Sequence, residues 1–572
     1  MVAFARPTAR RPAEWVLVAA AGCAALALVV VPLVRLAWAV VEDGGASIHR
    51  VLTAPGFAVA VAHTLELAVV VPLFAVPLGT GIALLLRRPE LPLRRTLRML
   101  VLLPLVVPQF VLGYSWTQAY GRAGFVDDLL GVHWAGLLGP HGIAVVLIVD
   151  AVPLCYLLST VGLATRAQPQ LEAAARAGGA GGWATLRTVT LPLLRPVLVA
   201  EAILVFVATM ESFAAPQVLG TPVGYATVTT RLYSDLAFGS DPNSFTDAVT
   251  LALGLALVAA VLLVPADLAL APHLRAQRTT RTGNAVARGG PRRTAVATAS
   301  PVALLLAYTG LVVALPTAAL VLASLTRAIG LAPTPGNWTI DNYRAALNEP
   351  TRDALWHSVQ LAVVAAVLLT VLGAVVTSLE RRSSGRLLGT MAVLSFAVPG
   401  SALAVGLLIA YDRQLGGTLL LIMLAYLAKF WALAHRTISG AADRMPPGEW
   451  QAARVSGAGP LVAVRTVWLP ALAPALAGAW VLVFVASMHE VTMSSLLYST
   501  GTETFSVAVL NSQELGDTAT TAALSVLLSA VLLAVAGPGW LLLRLATRRR
   551  APSAGTPAGA PASPPAVLAV SR

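Results

Sequence analysis

Long apolar runs alternate with short polar segments along almost the whole chain. A helix that crosses the hydrocarbon core of a bilayer needs about 20 apolar residues, and the pattern predicts twelve such spans. They cover residues 15–40, 58–86, 99–120, 141–164, 196–219, 246–270, 300–326, 356–379, 389–411, 415–436, 474–498 and 519–543. The sequence therefore predicts an all-α polytopic membrane protein.

Composition and charge agree with this pattern. Of the 572 residues, 57% are hydrophobic and 11% are charged, whereas soluble domains carry about 25% charged residues. A net charge of +13 suggests nucleic acid at first sight, but the basic residues stand in short clusters between the apolar runs. Such clusters are typical of membrane topology. We therefore expect a lipid bilayer around the chain and no nucleic-acid partner.

The basic clusters also predict the orientation of the chain. If the N-terminus is inside, 30 of the 39 Lys and Arg residues fall on the inner side of the twelve spans. Loops rich in Lys and Arg stay in the cytoplasm. We therefore expect a multi-pass protein with both termini in the cytoplasm.

A repeat divides the chain into two homologous halves. Residues 173–192 and 451–470 agree at 11 of 20 positions at an offset of 278, and FVATM at 206–210 faces FVASM at 484–488. Self-similarity at a fixed offset indicates a duplicated structural unit. The predicted domains are a six-span half at 1–270, a cytoplasmic linker at 271–299, a six-span half at 300–545 and a disordered cytoplasmic tail at 546–572.

The repeated stretch falls in the inner loop between the fourth and fifth spans of each half, at about 165–195 and 437–473. Its pattern predicts a short Ala/Arg helix, a Gly break and a second helix that enters the next span through Leu-Pro. A helix lying on the membrane surface would need a large apolar face, which AARAGGAGG lacks. Small residues allow another surface to approach closely, so each half is expected to carry one docking site. Two such sites together call for a partner with twofold character.

Both loops resemble the motif written EAA, three residues, Gly in binding-protein-dependent ABC importer permeases. Other segments resemble the fused, two-half permeases of the iron(III)-uptake branch, namely SFAAPQVLGTP at 212–222, NWTIDNYRAAL at 337–347 and HEVTMSSLLYSTGTETFSVAV at 489–509. The resemblance implies the six-plus-six fold of a type I importer permease. The sequence departs from the motif at Ala173 and Gln451, where glutamate is usual, and has His489 where a more basic residue usually precedes Glu490.

The resemblance also implies the partners and the location. The chain would form the pathway through a bacterial inner membrane for iron(III) delivered by an extracytoplasmic solute-binding protein. Two copies of a separate ABC ATPase would seat on the loops and use the ATP. The expected docking residues are Glu172, Ala174, Ala175, Arg176, Gly179, Ala180, Gly181, Glu449, Ala452, Ala453, Arg454, Gly457, Ala458 and Gly459.

Motifs for catalysis are missing from the sequence. No GxxxxGK[ST] segment occurs, so the chain cannot hydrolyse ATP by a P-loop mechanism. There is also no HExxH, CxxC or nucleophile elbow, and Cys23 and Cys155 lie inside apolar runs. We therefore expect a transport subunit that is not an enzyme by itself and binds no cofactor or metal of its own.

Ionisable residues inside spans are costly and indicate either a transport pathway or an internal pair. Both alternatives stay open for Glu66, Asp150, Glu201 and Lys429. Glu211 and Glu490 follow the repeated FVATM and FVASM segments, and for these two we favour a gate between the halves. His489 beside Glu490 is a weaker candidate, because a lone histidine is more often an ordinary hydrogen-bonding residue.

Proline marks two further candidate positions. Pro108, with Pro104 before it, and Pro399 interrupt the third and ninth spans at matching places. Broken helices at membrane depth are tolerated where they line a cavity, so these spans are candidate pore walls. An ordinary proline kink is the alternative.

Other transporters remain open as alternatives. Permeases for thiamine, polyamine and phosphonate share the loop motif. An ion-coupled secondary transporter also combines six plus six spans with a parallel repeat, but it gives no reason for two matching Gly-rich loops on the inner side.

Overall fold

The computed structural model describes residues 12–88, 90–275, 295–328, 330–331, 333–380, 388, 391, 395, 397–445 and 448–549. Ten helices of this part of the chain are long and apolar enough to cross a membrane, and one helix pair bent by 104° makes eleven. The predicted ninth span is the one missing from this count, since much of its first half lies outside the described residues.

The first half contains six spans, numbered 1 to 6 in chain order. They are Val18–Glu42, Phe57–Leu86, the bent pair Arg94–Val106 and Gln109–Leu130, Pro140–Arg166, Leu191–Met210 and Ser244–Arg275. Shorter helices stand between them at Ala46–Thr53, Pro169–Ala177, Ala214–Leu219 and Val228–Ala237.

The second half repeats this order in spans 7 to 12. They are Ser300–Leu325, Glu349–Glu380, Leu419–Ala442, Leu469–His489 and Thr518–Arg549, together with the 16-residue helix Gly400–Leu415, which covers most of the described part of the predicted ninth span. Its shorter helices are Asp341–Ala346, Gly448–Val455, Thr492–Leu497 and Phe505–Glu514. The predicted linker and tail fall mostly outside the described residues.

Spans 5 and 11 end earlier than the sequence pattern predicts. The predicted segments run to residues 219 and 498, whereas the helices end at Met210 and His489. The apolar run continues past both points as the separate short helices Ala214–Leu219 and Thr492–Leu497, most of whose residues are buried. Hydrophobicity alone cannot distinguish a spanning helix from an apolar segment buried in protein.

The two halves repeat one contact of their second spans. In each half, a hydroxyl of the second span bonds to the first residue of a short helix, Val228–Ala237 or Phe505–Glu514. The Thr64 hydroxyl in span 2 accepts a hydrogen bond from the Val228 amide at 2.9 Å. In span 8, the Ser358 hydroxyl accepts one from the Phe505 amide at 2.7 Å. The segments HTLELAVV at 63–70 and HSVQLAVV at 357–364 align at an offset of 294, which pairs Thr64 with Ser358. The repeat in the sequence is therefore a repeat in three dimensions.

The first span of each half packs against the other half. The Tyr411 hydroxyl of span 9 donates to the Ala27 carbonyl at 2.8 Å, and the Tyr120 hydroxyl of span 3 donates to the Leu311 carbonyl. Both acceptors lie in π-helical turns, Leu26–Val30 and Gly310–Ala314. A β-carbon at Gly406 would lie 2.8 Å from the Pro32 carbonyl oxygen. Small residues permit such close packing in membranes, and the exchange fastens the halves together.

Within the described ranges, the only β-type pairing is an isolated bridge between Thr326 and Trp338. The fold is therefore an all-α polytopic membrane fold made of two homologous halves, as the sequence predicts.

Candidate functional site

The two Gly-rich loops have the same backbone geometry. The helices Pro169–Ala177 and Gly448–Val455 are each followed by a glycine in the left-handed region, Gly179 with φ 88° and Gly457 with φ 84°. Beyond these glycines, the Ala180 amide donates to the Ala175 carbonyl and the Ala458 amide to the Ala453 carbonyl, both at 3.0 Å. This is the Schellman ending of a helix, which requires a left-handed residue and so favours glycine. We call residues 169–190 and 448–468 the first and second docking loops.

The predicted docking residues are exposed in matching fashion. Ala174, Gly179 and Gly181 in the first loop and Ala452, Gly457 and Gly459 in the second are exposed, as are Arg176 and Glu449. Ala175, Ala180, Ala453 and Ala458 are half-buried, and the Arg454 side chain lies outside the described part of the structure. The described small residues of the two loops therefore have the same pattern of exposure.

Apolar side chains add to these surfaces, and the sequence pattern did not single them out. Trp183 is 72% exposed in the first loop, and Val455 is 89% exposed in the second. Large exposed apolar residues on a segment outside the spans are typical of a protein-binding surface. Val455 is the last residue of the helix Gly448–Val455, and Trp183 lies just beyond the Gly-rich break of the first loop, so a search for apolar residues on both sides of the glycines would have found them.

Glu172 differs from the other predicted docking residues. Its carboxylate accepts hydrogen bonds from the Arg87 guanidinium and from the Thr190 hydroxyl, each at 3.1 Å. Its side chain is only 14% exposed. Glu172 therefore faces the body of its own half.

Prolines 108 and 399 break spans 3 and 9 in the same conformation. Each precedes the first residue of a helix, with φ and ψ of −56° and 141° at Pro108 and −54° and 141° at Pro399. Pro104 lies in the 3-10 turn just before the first break. A proline interrupts the helical hydrogen bonds and frees carbonyl groups, which then need other donors.

The freed carbonyl groups have found polar side chains from neighbouring spans. His489 Nε2 donates to the Val106 carbonyl at 3.1 Å, and Lys429 Nζ donates to the Val398 carbonyl at 2.7 Å. The first contact joins the second half to the first. The two breaks therefore lie beside charged or polar groups rather than only among apolar ones.

Lys429 also bridges the two halves. Its ammonium group lies 2.9 Å from the Glu211 carboxylate, and the two side chains are 15% and 17% exposed. Lys429 belongs to span 10 and Glu211 follows the last residue of span 5. The only lysine of the chain therefore forms a partly buried ion pair with the opposite half.

A second polar chain lies next to this pair in the first half. The Gln109 amide nitrogen donates to the Asp150 carboxylate at 3.0 Å, and the Ser212 hydroxyl donates to the Gln109 carbonyl oxygen at 2.8 Å. Ser212 follows Glu211 directly. These two bonds connect the first proline break to span 4 and to the residue after Glu211. The sequence pattern did not single out Gln109 or Ser212.

The repeat aligns Asp150 with Lys429. A β-carbon added at Gly79 would meet the Tyr156 amide nitrogen, and one added at the equivalent Gly373 would meet that of His435. Tyr156 and His435 are therefore equivalent positions at an offset of 279, and the same offset aligns Asp150 with Lys429. Equivalent positions in the two halves therefore carry opposite charges.

Glu490 accepts hydrogen bonds from one backbone amide and from serine hydroxyls of the following segment. Its carboxylate accepts from the Met493 amide at 2.6 Å, and its carbonyl oxygen accepts from the Ser506 hydroxyl at 2.6 Å. The offset of 278 places it opposite Ser212, while Glu211 lies opposite His489. The two glutamates therefore stand one residue apart in the repeat and have different partners. Their gating role stays a prediction. We call Gln109, Asp150, Glu211, Ser212, Lys429, His489 and Glu490 the central cluster.

Two of the candidate ionisable residues in the predicted spans, Glu201 and Glu66, lie outside the central cluster. Glu201 is fully buried and accepts a hydrogen bond from the Ser159 hydroxyl at 3.0 Å, within the first half. Glu66 is exposed on span 2 and accepts a hydrogen bond from the Tyr225 hydroxyl at 3.4 Å. Glu201 therefore follows the internal-pair alternative.

Residues 75–271 and 369–548 both match the family described as "Binding-protein-dependent transport system inner membrane component". The chain belongs to this family. The two matched segments correspond to the two halves of the fold, and each contains one docking loop. The protein is thus a fused, two-half, multi-pass permease of the inner membrane.

Several relatives of the permease carry transport names. It is 24% identical over 459 residues to the ferric transport system permease protein of Actinobacillus pleuropneumoniae, covering 76% of the chain and 64% of that relative's length. It is 26% identical over 448 residues to a probable ABC transporter permease protein of Sinorhizobium fredii, covering 74% of the chain and 76% of the relative. A molybdenum transport system permease protein of Mycobacterium tuberculosis is 33% identical over 243 residues, which are 42% of the chain and 89% of that protein.

Proposed function

We propose that this permease forms the pathway for a substrate delivered by an extracytoplasmic binding protein, and that two ATPase subunits drive it from the cytoplasmic side. The observation that carries the proposal is the pair of docking loops, which repeat the same exposed helix and left-handed glycine in both halves. Two equivalent surfaces fit two copies of one partner. The permease itself would supply no ATP site.

Iron(III) is the substrate that we propose. Relatives with ferric transport names align with most of the chain, as the protein of A. pleuropneumoniae does. The central cluster also favours a cation, since it contains the carboxylates of Asp150, Glu211 and Glu490 but a single ammonium group, on Lys429. Three negative charges and one positive charge give a formal charge of −2, and negative charge within low-dielectric walls concentrates cations.

The Lys429–Glu211 pair is proposed to be part of the gate between the halves. Lys429 and Glu211 come from opposite halves, so a motion that separates the halves at this level must break their contact. Partial exposure of both side chains keeps the cost of separating them moderate. In the closed gate, the Val106 carbonyl would hold His489 and the Val398 carbonyl would hold Lys429, both at the proline breaks.

Reconstitution into proteoliposomes tests the proposed function. Vesicles that contain the permease, its ATPase and its binding protein should take up radiolabelled iron(III) only when ATP is supplied. Uptake driven by an ion gradient in vesicles without ATP would overturn the importer mechanism and favour the secondary transporter.

Molybdenum is a second candidate substrate, because the relative in M. tuberculosis with 33% identity carries that name. Labelled molybdate in the same vesicles separates the two. ATP-dependent uptake of molybdate without uptake of iron(III) would overturn the proposed substrate while leaving the proposed mechanism intact.

A further inference from the structure

Glu172 lies in the first docking loop, but its carboxylate is bonded to side chains of its own half. One oxygen, Oε1, accepts from both Arg87 Nη1 and Thr190 Oγ1 at 3.1 Å. Hydrogen bonds with a charged partner are about twice as strong as neutral ones. The contact is therefore a charge-assisted link with two donors.

The two donors lie at the ends of two spans. Arg87 follows the last residue of span 2, and Thr190 ends the π-helical turn Leu186–Thr190 that leads into span 5. Spans 2 and 5 pack against each other. A single carboxylate oxygen thus joins the helix Pro169–Ala177 to the cytoplasmic ends of two spans.

The docking helix needs such a link. It has nine residues, most of them exposed, and helices shorter than about 12 residues are marginal in water without tertiary contacts. The Glu172 carboxylate supplies such a contact, from the helix to Arg87 and Thr190.

The second docking loop is built differently. The offset of 278 places Trp450 and Trp468 at the positions of Glu172 and Thr190, and tryptophan supplies neither a carboxylate nor a hydroxyl group. Glu449, one position earlier in the alignment than Trp450, is exposed. Among the described residues, the charge-assisted link is therefore found in the first loop.

We propose that Glu172 is a positioning residue that transmits motion from the first docking loop to spans 2 and 5, and that it is not a contact of the ATPase. The transmission rests on the proposed function, since it has a purpose only if an ATPase seats on the loop. It also makes the two halves of the permease unequal in how they are coupled.

Hydrogen exchange on the purified permease, without ATPase, tests the anchor itself. Glu172→Gln should speed amide exchange in residues 169–177 by about three- to tenfold, because the loop opens more often. Arg87→Gln should do the same, and the exchanged pair Arg87→Glu with Glu172→Arg should restore protection. Glu449→Gln is the matched control and should leave exchange in residues 169–177 unchanged. Unchanged protection in Glu172→Gln would overturn the anchor.

The assembled complex tests transmission. Glu172→Gln should keep both ATPase copies bound but consume several times more ATP per substrate transported, and the exchanged pair should restore the ratio. Loss of ATPase binding in Glu172→Gln, with normal exchange in residues 169–177, would instead make Glu172 a direct ATPase contact. That result would leave the proposed function standing, whereas failure of the unsubstituted complex to transport would remove it.

Discussion

Lys429 and Glu211 lie 2.9 Å apart although 218 positions separate them in the chain. One residue belongs to each half, and the pair stands beside the proline breaks of spans 3 and 9. Because this ion pair joins the two halves, a change in the distance between them would change this contact of the central cluster.

Removal of one member of the pair should cost more than removal of both. Lys429→Gln leaves Glu211 as a partly buried carboxylate without its cation, and we expect a loss of about 2–3 kcal/mol in stability. The double variant Lys429→Gln with Glu211→Gln should recover at least half of this loss, because no unpaired charge remains. Thermal unfolding of the four proteins in a double-mutant cycle measures the coupling. Glu66→Gln, which changes an exposed carboxylate of span 2, is the control, and additive effects of the two cluster substitutions would contradict the pair.

Glu490→Gln should change transport more than stability. Glutamine keeps an oxygen that can accept from the Met493 amide, so we expect a loss below about 1 kcal/mol. The negative charge next to Lys429 and Glu211 disappears, and this should change uptake or basal ATP turnover severalfold without loss of the ATPase. Melting temperature and uptake are measured side by side. A clear fall in melting temperature with unchanged uptake would assign Glu490 to structure alone.

The second docking loop offers a way to separate backbone strain from steric blocking. Gly457 has φ 84°, and a β-carbon there would meet no other atom of the chain within 4 Å. Gly457→Leu should lower ATPase recovery for two reasons. The left-handed conformation costs about 1–2 kcal/mol for such a residue, and the leucine side chain would project into the open space where the ATPase is proposed to bind. Gly457→Asn, which tolerates this conformation, should keep most binding.

Gly459→Leu completes this comparison. Gly459 does not have a positive φ, and open space surrounds its added β-carbon. Pull-down of the ATPase compares the three variants. If Gly459→Leu binds normally while Gly457→Leu does not, strain explains the loss, and if both fail the partner covers both positions. Normal binding in all three variants would contradict the docking surface.

The orientation of the spans can be tested with single cysteines after replacing Cys23 and Cys155. Cysteines at Ala46, Ser240 and Thr500, all exposed, should react with a membrane-impermeant reagent from outside. One at Thr282 in the predicted linker should react only after permeabilisation. Ser47 fits the same loop by sequence but is buried, so Ala46 is the better position. Labelling of residue 282 from outside would overturn the division into six plus six spans.

Much of this fold could be predicted because its signals are repeated and local. The apolar runs gave the spans, and the glycines at 179 and 457 gave the helix endings, since each signal depends on neighbouring residues. The ends of spans 5 and 11 were predicted too late, because the apolar residues after Met210 and His489 belong to separate short helices that are mostly buried in protein.

The central cluster was beyond the reach of sequence patterns for a different reason. Glu211 and Glu490 were singled out because they follow a repeated segment, but their partners come from elsewhere in the chain. Lys429 reaches Glu211 across the interface between the halves, and Gln109 reaches Asp150 from a proline break. Long-range pairs of this kind leave no periodicity. Glu172 shows the same limit, since its place in the motif suggested docking and only the contact with Arg87 indicated an anchor.

The central claim is that the two docking loops each hold one ATPase, and native mass spectrometry of the purified complex tests it most directly. The account predicts two ATPase copies for each permease chain, and loss of both in the double variant Gly179→Leu with Gly457→Leu while the permease still inserts into the membrane. A permease that transports without any bound ATPase, or a double variant that retains both copies, would contradict it.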